Sequence, residues 1–82
     1  MKIVYFAALR REIGVGEESV SPPAEIATVA QLIEWLKALS PKHAKALSAP
    51  RLMAAVNQDH AAMDAPVSAA DEVAFFPPVT GG

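Results

Sequence analysis

Glu72-Val73-Ala74-Phe75-Phe76-Pro77-Pro78-Val79-Thr80-Gly81-Gly82 is the stretch on which the reading of this chain turns. Residues 72–76 alternate and are rich in strand formers, so they predict a last strand. Pro77-Pro78 ends it, because proline has no N–H to offer a ladder and fixes its own φ. The six residues after Phe76 span at most about 20 Å when extended. Gly81 and Gly82 carry no side chains, so this tail is narrow enough to thread a tunnel. The predicted division is a folded domain over residues 1–76 and a flexible tail over 77–82. A chain ending at Gly82 presents an α-carboxylate, ionised at neutral pH with an ordinary pKa of about 3.3–3.7 and a poor electrophile. To react it must first gain a leaving group, most simply AMP from ATP. The acyl-adenylate is then open to an amine, an alcohol, a thiol or a sulfur donor.

Outward from the tail, 82 residues make one small domain, with only about 60% of its extended-chain surface buried and no room for a deep internal site. The chain has no cysteine, which excludes disulfides, thiolate metal sites and a cysteine nucleophile. Any sulfur handled by these residues must therefore ride on Gly82. A formal net charge of −2 with scattered Lys and Arg argues against nucleic-acid binding through phosphate neutralisation. No apolar run reaches the roughly 18–20 residues that span a bilayer, and Met1–Ala8 reads better as a strand than as a signal peptide. A soluble cytoplasmic domain is expected.

Residues 2–8 predict the first strand, with Ile3, Tyr5 and Ala7 on one face and Lys2, Val4, Phe6 and Ala8 on the other. A helical turn over Ala8–Ile13 ends at Gly14, and Glu17–Ser21 predicts a short second strand stopped by Pro22-Pro23. The main helix runs from Val29 to about Leu39. Thr28 and Gln31 have capping-box spacing, and Val29, Leu32, Ile33, Leu36 and Leu39 form one stripe with Trp35 at its border. A second short helix over 42–47 follows Pro41. Leu52–Val56 predicts a third strand, Asn57-Gln58-Asp59 a turn, His60–Met63 a weak fourth strand and Ser68–Asp71 a helical turn. The main elements run β-β-α-β-β-β.

Few side chains in the domain suggest chemistry. His43 and His60 read as isolated surface histidines with no metal-ligand spacing, so no metal site is expected. Glu17-Glu18 reads as a solvated strand edge, and the serines as caps and turns. The charges of Lys2 and Glu72 mark the solvent faces of the first and last strands. Val4 and Phe6, and Ala74 and Phe76, then share those faces. If these strands are neighbours, Phe6 and Phe76 form an exposed apolar patch beside the tail, with Arg10 at its rim. Such a patch marks a protein interface.

The ending Asp71–Gly82 resembles that of the small subunit of molybdopterin synthase, the MoaD-type sulfur carriers. Val4-Tyr5-Phe6-Ala7 followed by Arg10, and Ala54-Ala55-Val56-Asn57-Gln58, agree in order and spacing, whereas residues 15–50 match only in element pattern. The resemblance implies an α+β, ubiquitin-like β-grasp fold with a mixed sheet of about five strands on one main helix. It implies no bound cofactor. A ubiquitin-activating-enzyme-like adenylyltransferase consumes ATP to adenylate Gly82, and a sulfur donor system converts the adenylate to a thiocarboxylate. The tail Pro77-Pro78-Val79-Thr80-Gly81 then enters a pocket of the large synthase subunit, in a heterotetramer, and sulfur passes to cyclic pyranopterin monophosphate. The alternatives are a carrier of another pathway, such as the thiamine type, and a ubiquitin-like modifier joined to lysines.

Overall fold

The computed structural model describes residues 1–78. The elements are β1 (Lys2–Tyr5), α1 (Ala8–Ile13), β2 (Glu17–Ser19), α2 (Val29–Lys37), α3 (Pro41–Leu47), β3 (Met53–Val56), β4 (Asp59–Ala61) and β5 (Glu72–Phe76). The five strands form one sheet in the order β2-β1-β5-β3-β4. The central pair β1–β5 is parallel, with Ile3 opposite Val73 and Tyr5 opposite Phe75, and every other pairing is antiparallel. A parallel central pair flanked by two hairpins, with the main helix crossing between them, is the β-grasp arrangement.

Strand alternation divides the sheet into two faces. Ile3, Tyr5, Ala54, Val73 and Phe75 point inward and are almost fully buried, packed with Val29, Leu32 and Leu36 of α2 and Leu9 of α1. The α2 stripe holds because i, i+3, i+4 and i+7 share a helix face. Its start is fixed by the expected capping box: Thr28 Oγ1 accepts from the Gln31 N–H at 3.2 Å, and Gln31 Oε1 accepts from the Thr28 N–H at 3.2 Å. The stripe stops one turn early. The helix ends at Lys37 with Ala38 as its C-cap, so Leu39 falls outside it and is 44% exposed. Ser40 then caps α3, with Pro41 in the first turn where its missing N–H costs nothing.

Three boundaries move for backbone reasons. β1 stops at Tyr5 rather than Ala8, because Ala7 takes φ 55° and ψ −128° and the Leu9 N–H closes a turn onto the Phe6 carbonyl at 3.2 Å. That is a type II′ turn with alanine in the position glycine usually fills. β4 starts at Asp59 because Asn57 and Gln58, with φ of 50° and 72°, complete a two-residue turn on their own. Ser68–Asp71 is a turn rather than helix, closed by the Asp71 N–H on the Ser68 carbonyl at 3.0 Å. β2 is also shorter than expected, ending at Ser19.

Candidate functional site

Among the described residues the outer face of the sheet carries no helix, and its centre is hollow. Ala55 of β3 and Ala74 of β5 lie directly opposite each other and form a low floor. Phe6, Phe76 and His60 rise around it, with Gln58 and Glu72 at the margins, enclosing a groove of about 430 Å³. Phe6 is 50% exposed, and the His60 and Phe76 rings meet edge to face at 5.7 Å. The face is graded along the strands. Lys2 and Glu17, paired at 2.9 Å, sit with Glu72 at the end where β1 and β5 begin. Phe6 and Phe76 stand at the opposite end, where those strands finish and the chain leaves the sheet through Pro77-Pro78.

The parallel ladder closes cleanly at that exit. The Phe6 N–H donates to the Phe75 carbonyl at 3.1 Å, and the Phe6 carbonyl is taken by Leu9. Pro77 has no N–H with which to extend the ladder. An apolar groove thus opens beside the root of the tail. Val79, Thr80, Gly81 and Gly82, which carry the expected chemistry, lie outside the described residues.

Of the expected interface residues, Phe6 and Phe76 come together in the groove, and Arg10 lies outside its lining, towards β2. Arg10 is exposed on α1, and its guanidinium lies over Gly16 on the β2 side of β1. A Cβ at Gly16 would come within 3.1 Å of Arg10 Nε, so the close approach of that side chain uses the glycine. His60, expected as an isolated surface residue, belongs to the groove. Its signal was the Asn57-Gln58 turn, whose two-residue length sets His60 opposite Ala55 and so on the outer face.

Two further side chains depart from their expected roles. Glu18 is opposite Ile3, hence on the inner face, where Glu18 Oε2 accepts from the Tyr5 hydroxyl at 2.6 Å and meets His43 Nε2 at 2.7 Å. His43 Nδ1 in turn lies 2.7 Å from Ser40 Oγ, which also accepts the His43 N–H at 3.1 Å. Only Glu17 is the solvated edge residue; Glu18 and His43 tie β2 to β1 and α3. Burial alone would push the Glu18 carboxyl up. The hydrogen bonds from Tyr5 and His43, with the imidazole's charge, outweigh it and hold the group below its ordinary value. The Tyr5 phenol is pushed well above its ordinary value, first by burial and then by Glu18.

A larger depression of about 610 Å³ lies on the helical side, bordered by Ile26, Ala30 and Trp35 with Glu25 and Glu34 at its rim. It is shallow, and Trp35 packs there at the core edge. Among the described residues, no three His, Asp or Glu side chains converge as metal ligands. No helix there is long and apolar enough to cross a membrane.

Comparison with known proteins places these features in a family. Residues 3–82 match the family model described as the ThiS family. The chain is 43% identical over 82 residues to the molybdopterin synthase sulfur carrier subunit of Escherichia coli (strain K12), covering 100% of this chain and 99% of that one. Among solved structures it resembles a putative molybdopterin converting factor, subunit 1, from Pyrococcus furiosus. That likeness has a TM-score of 0.74 and 34% identity over 95% of each chain. It also resembles the small archaeal modifier protein 1 of Haloferax volcanii, with a TM-score of 0.74 and 28% identity over 96% of this chain and 97% of that one.

Proposed function

The chain belongs to the ThiS family, and from that premise we propose that it is the sulfur carrier subunit of a molybdopterin synthase in molybdenum cofactor biosynthesis. The observation that carries this reading is the apolar groove walled by Phe6 and Phe76 at the root of a tail ending in Gly81-Gly82. The full-length likeness to a molybdopterin synthase sulfur carrier subunit supports it.

In this reading the domain is a handle and Gly82 is the reagent. An activating adenylyltransferase transfers AMP from ATP to the Gly82 carboxylate, which gives an otherwise unreactive carboxyl a leaving group. A sulfur donor displaces AMP and leaves a thiocarboxylate. The large synthase subunit covers the groove while Pro77-Pro78-Val79-Thr80-Gly81 passes into its pocket. Sulfur then moves from Gly82 to cyclic pyranopterin monophosphate, with the acid–base groups supplied by the partner. Arg10 contributes at the rim, on the β2 side of β1. The assembly is a cytoplasmic heterotetramer of small and large subunits.

A second reading, a modifier joined to lysines through Gly82, is favoured by the likeness to small archaeal modifier protein 1; a carrier of the thiamine type shares the terminal chemistry. The test is mass spectrometry of the chain after incubation with ATP, an activating enzyme and a sulfur donor. Exchange of one oxygen for sulfur at Gly82, followed by sulfur transfer with the large subunit, supports the synthase reading. An unmodified terminus overturns the carrier chemistry, and lysine adducts in place of thiocarboxylate support the modifier. Deleting Gly82, or extending the chain past it, is expected to abolish transfer with the fold intact.

A further inference from the structure

We infer that His60 is a proton-sensitive gate on the docking face, admitting the partner when its imidazole is neutral and opposing it when protonated. The inference rests on the reading of the groove as the surface that the large subunit covers. His60 is the one imidazole among the groove residues, standing with Phe6 and Phe76 above the Ala55–Ala74 floor. Its ring is held edge to face against Phe76, the last residue before the tail. A partner that covers the phenylalanines must therefore also cover His60 and strip it of water.

Neutral imidazole loses little by this, since it has an apolar body and needs few partners. An imidazolium loses its hydration and needs a counter-charge. The charged groups facing it provide none at contact. Glu72 of β5 borders the same groove, across β3 and two residues along from the His60 row, and forms no ion pair with His60. Lys2 of β1 and Glu17 of β2 are paired with each other. Asp59, the chain neighbour on β4, alternates to the opposite face, and β3 contributes only Ala55 and Met53 there. Among the described residues His60 has no ion pair, in contrast to His43, which is paired with Glu18. Imidazole is also the side chain whose charge ordinarily changes between pH 5 and 8. Docking and proton release from His60 are therefore linked.

The experiment measures the dissociation constant of the full chain for the large subunit of molybdopterin synthase between pH 5.5 and 7.5, by calorimetry. Wild type is compared with His60→Gln and His60→Leu, and circular dichroism checks the fold at each pH. If only the neutral form docks, apparent affinity falls several-fold as the pH drops from 7.5 to 5.5. Both variants retain His43 and are expected to lack this component and to bind at pH 5.5 at least as well as wild type. The gate is overturned if wild-type affinity does not change with pH, rises on acidification, or falls equally in the two variants. Absence of docking by wild type at every pH overturns the docking face itself, and the gate with it.

Discussion

Tyr5→Phe isolates one hydrogen bond and tests whether the inner network holds the sheet edge. Tyr5 is 1% exposed, and phenylalanine keeps the ring, so its packing in the core and edge-on to His43 is retained and only the hydroxyl is lost. That hydroxyl donates to Glu18 Oε2 at 2.6 Å, a bond to a charged acceptor worth about 1.5–3 kcal/mol net. The Glu18 side chain is 26% exposed and keeps His43 at 2.7 Å, so the freed carboxylate regains some solvation and the loss falls near the lower bound, about 1.5 kcal/mol. For a domain of this size that lowers Tm by about 6–12 °C. Urea titration and calorimetry at pH 7 read it directly. A double-mutant cycle with Glu18→Gln should return a coupling of about 1 kcal/mol. A spectroscopic readout comes with it, because Tyr5 is the only tyrosine. Its phenol is raised in the fold by burial and by Glu18, so its contribution is full below the ordinary value near pH 10 and is lost as pH rises beyond it. Tyrosinate absorbance should therefore appear only as the fold is lost. A Tyr5→Phe chain as stable as wild type, or free tyrosinate formation in the folded chain near pH 10, would refute the network's role.

Three other outcomes are expected. Ala7→Gly should stabilise the chain, since a non-glycine residue at φ 55° stores about 1–3 kcal/mol and glycine returns about 0.4–1 kcal/mol of that through the unfolded state; a lower denaturation midpoint would show the turn to be unstrained. Phe76→Asp should weaken docking to the large subunit by tenfold or more, the range of a central aromatic anchor, while moving stability by less than about 1 kcal/mol; collapse of the fold would place Phe76 in the core. On acidification, stability should be flat above the ordinary carboxylate range and fall as pH drops through the lowered values of Glu18 and Asp71. Glu18→Gln should flatten part of that decline in urea titrations repeated across pH, and an unchanged decline would remove Glu18 from it.

Much of this architecture was legible because local signals agreed with one another. The charges of Lys2 and Glu72 marked the outer face of strands that prove to be parallel neighbours, so Phe6 and Phe76 were correctly assigned to one patch. The capping box fixed the start of α2, but nothing in the stripe announced its end, and Leu39 continued a pattern that the backbone abandons at Lys37. Glu18 and His43 are 25 residues apart, and α3 meets β2 only in the assembled fold, so adjacency to Glu17 made Glu18 look solvated. Ala7 carried no signal at all, because alanine is not the residue that advertises a positive φ.

The two faces of the sheet divide the work in a way that bears on how so small a domain can act. On the inner face the converging titratable groups, Tyr5, Glu18 and His43, are spent on joining β1, β2 and α3. The outer face offers shape and apolar area at the point where the chain departs. Four residues follow Pro78 and reach at most about 14 Å, while two prolines stiffen the root. In the proposed docking, covering the groove makes entry of the tail an intramolecular event, with its end confined to a volume set by that reach. The stiffer the root, the less conformational freedom remains to be lost when the tail enters. On the proposed reading, a substitution at Phe76 acts on transfer without touching the reacting atom. Its effect should appear as a higher concentration of chain required for half-maximal transfer, with the rate at saturation retained.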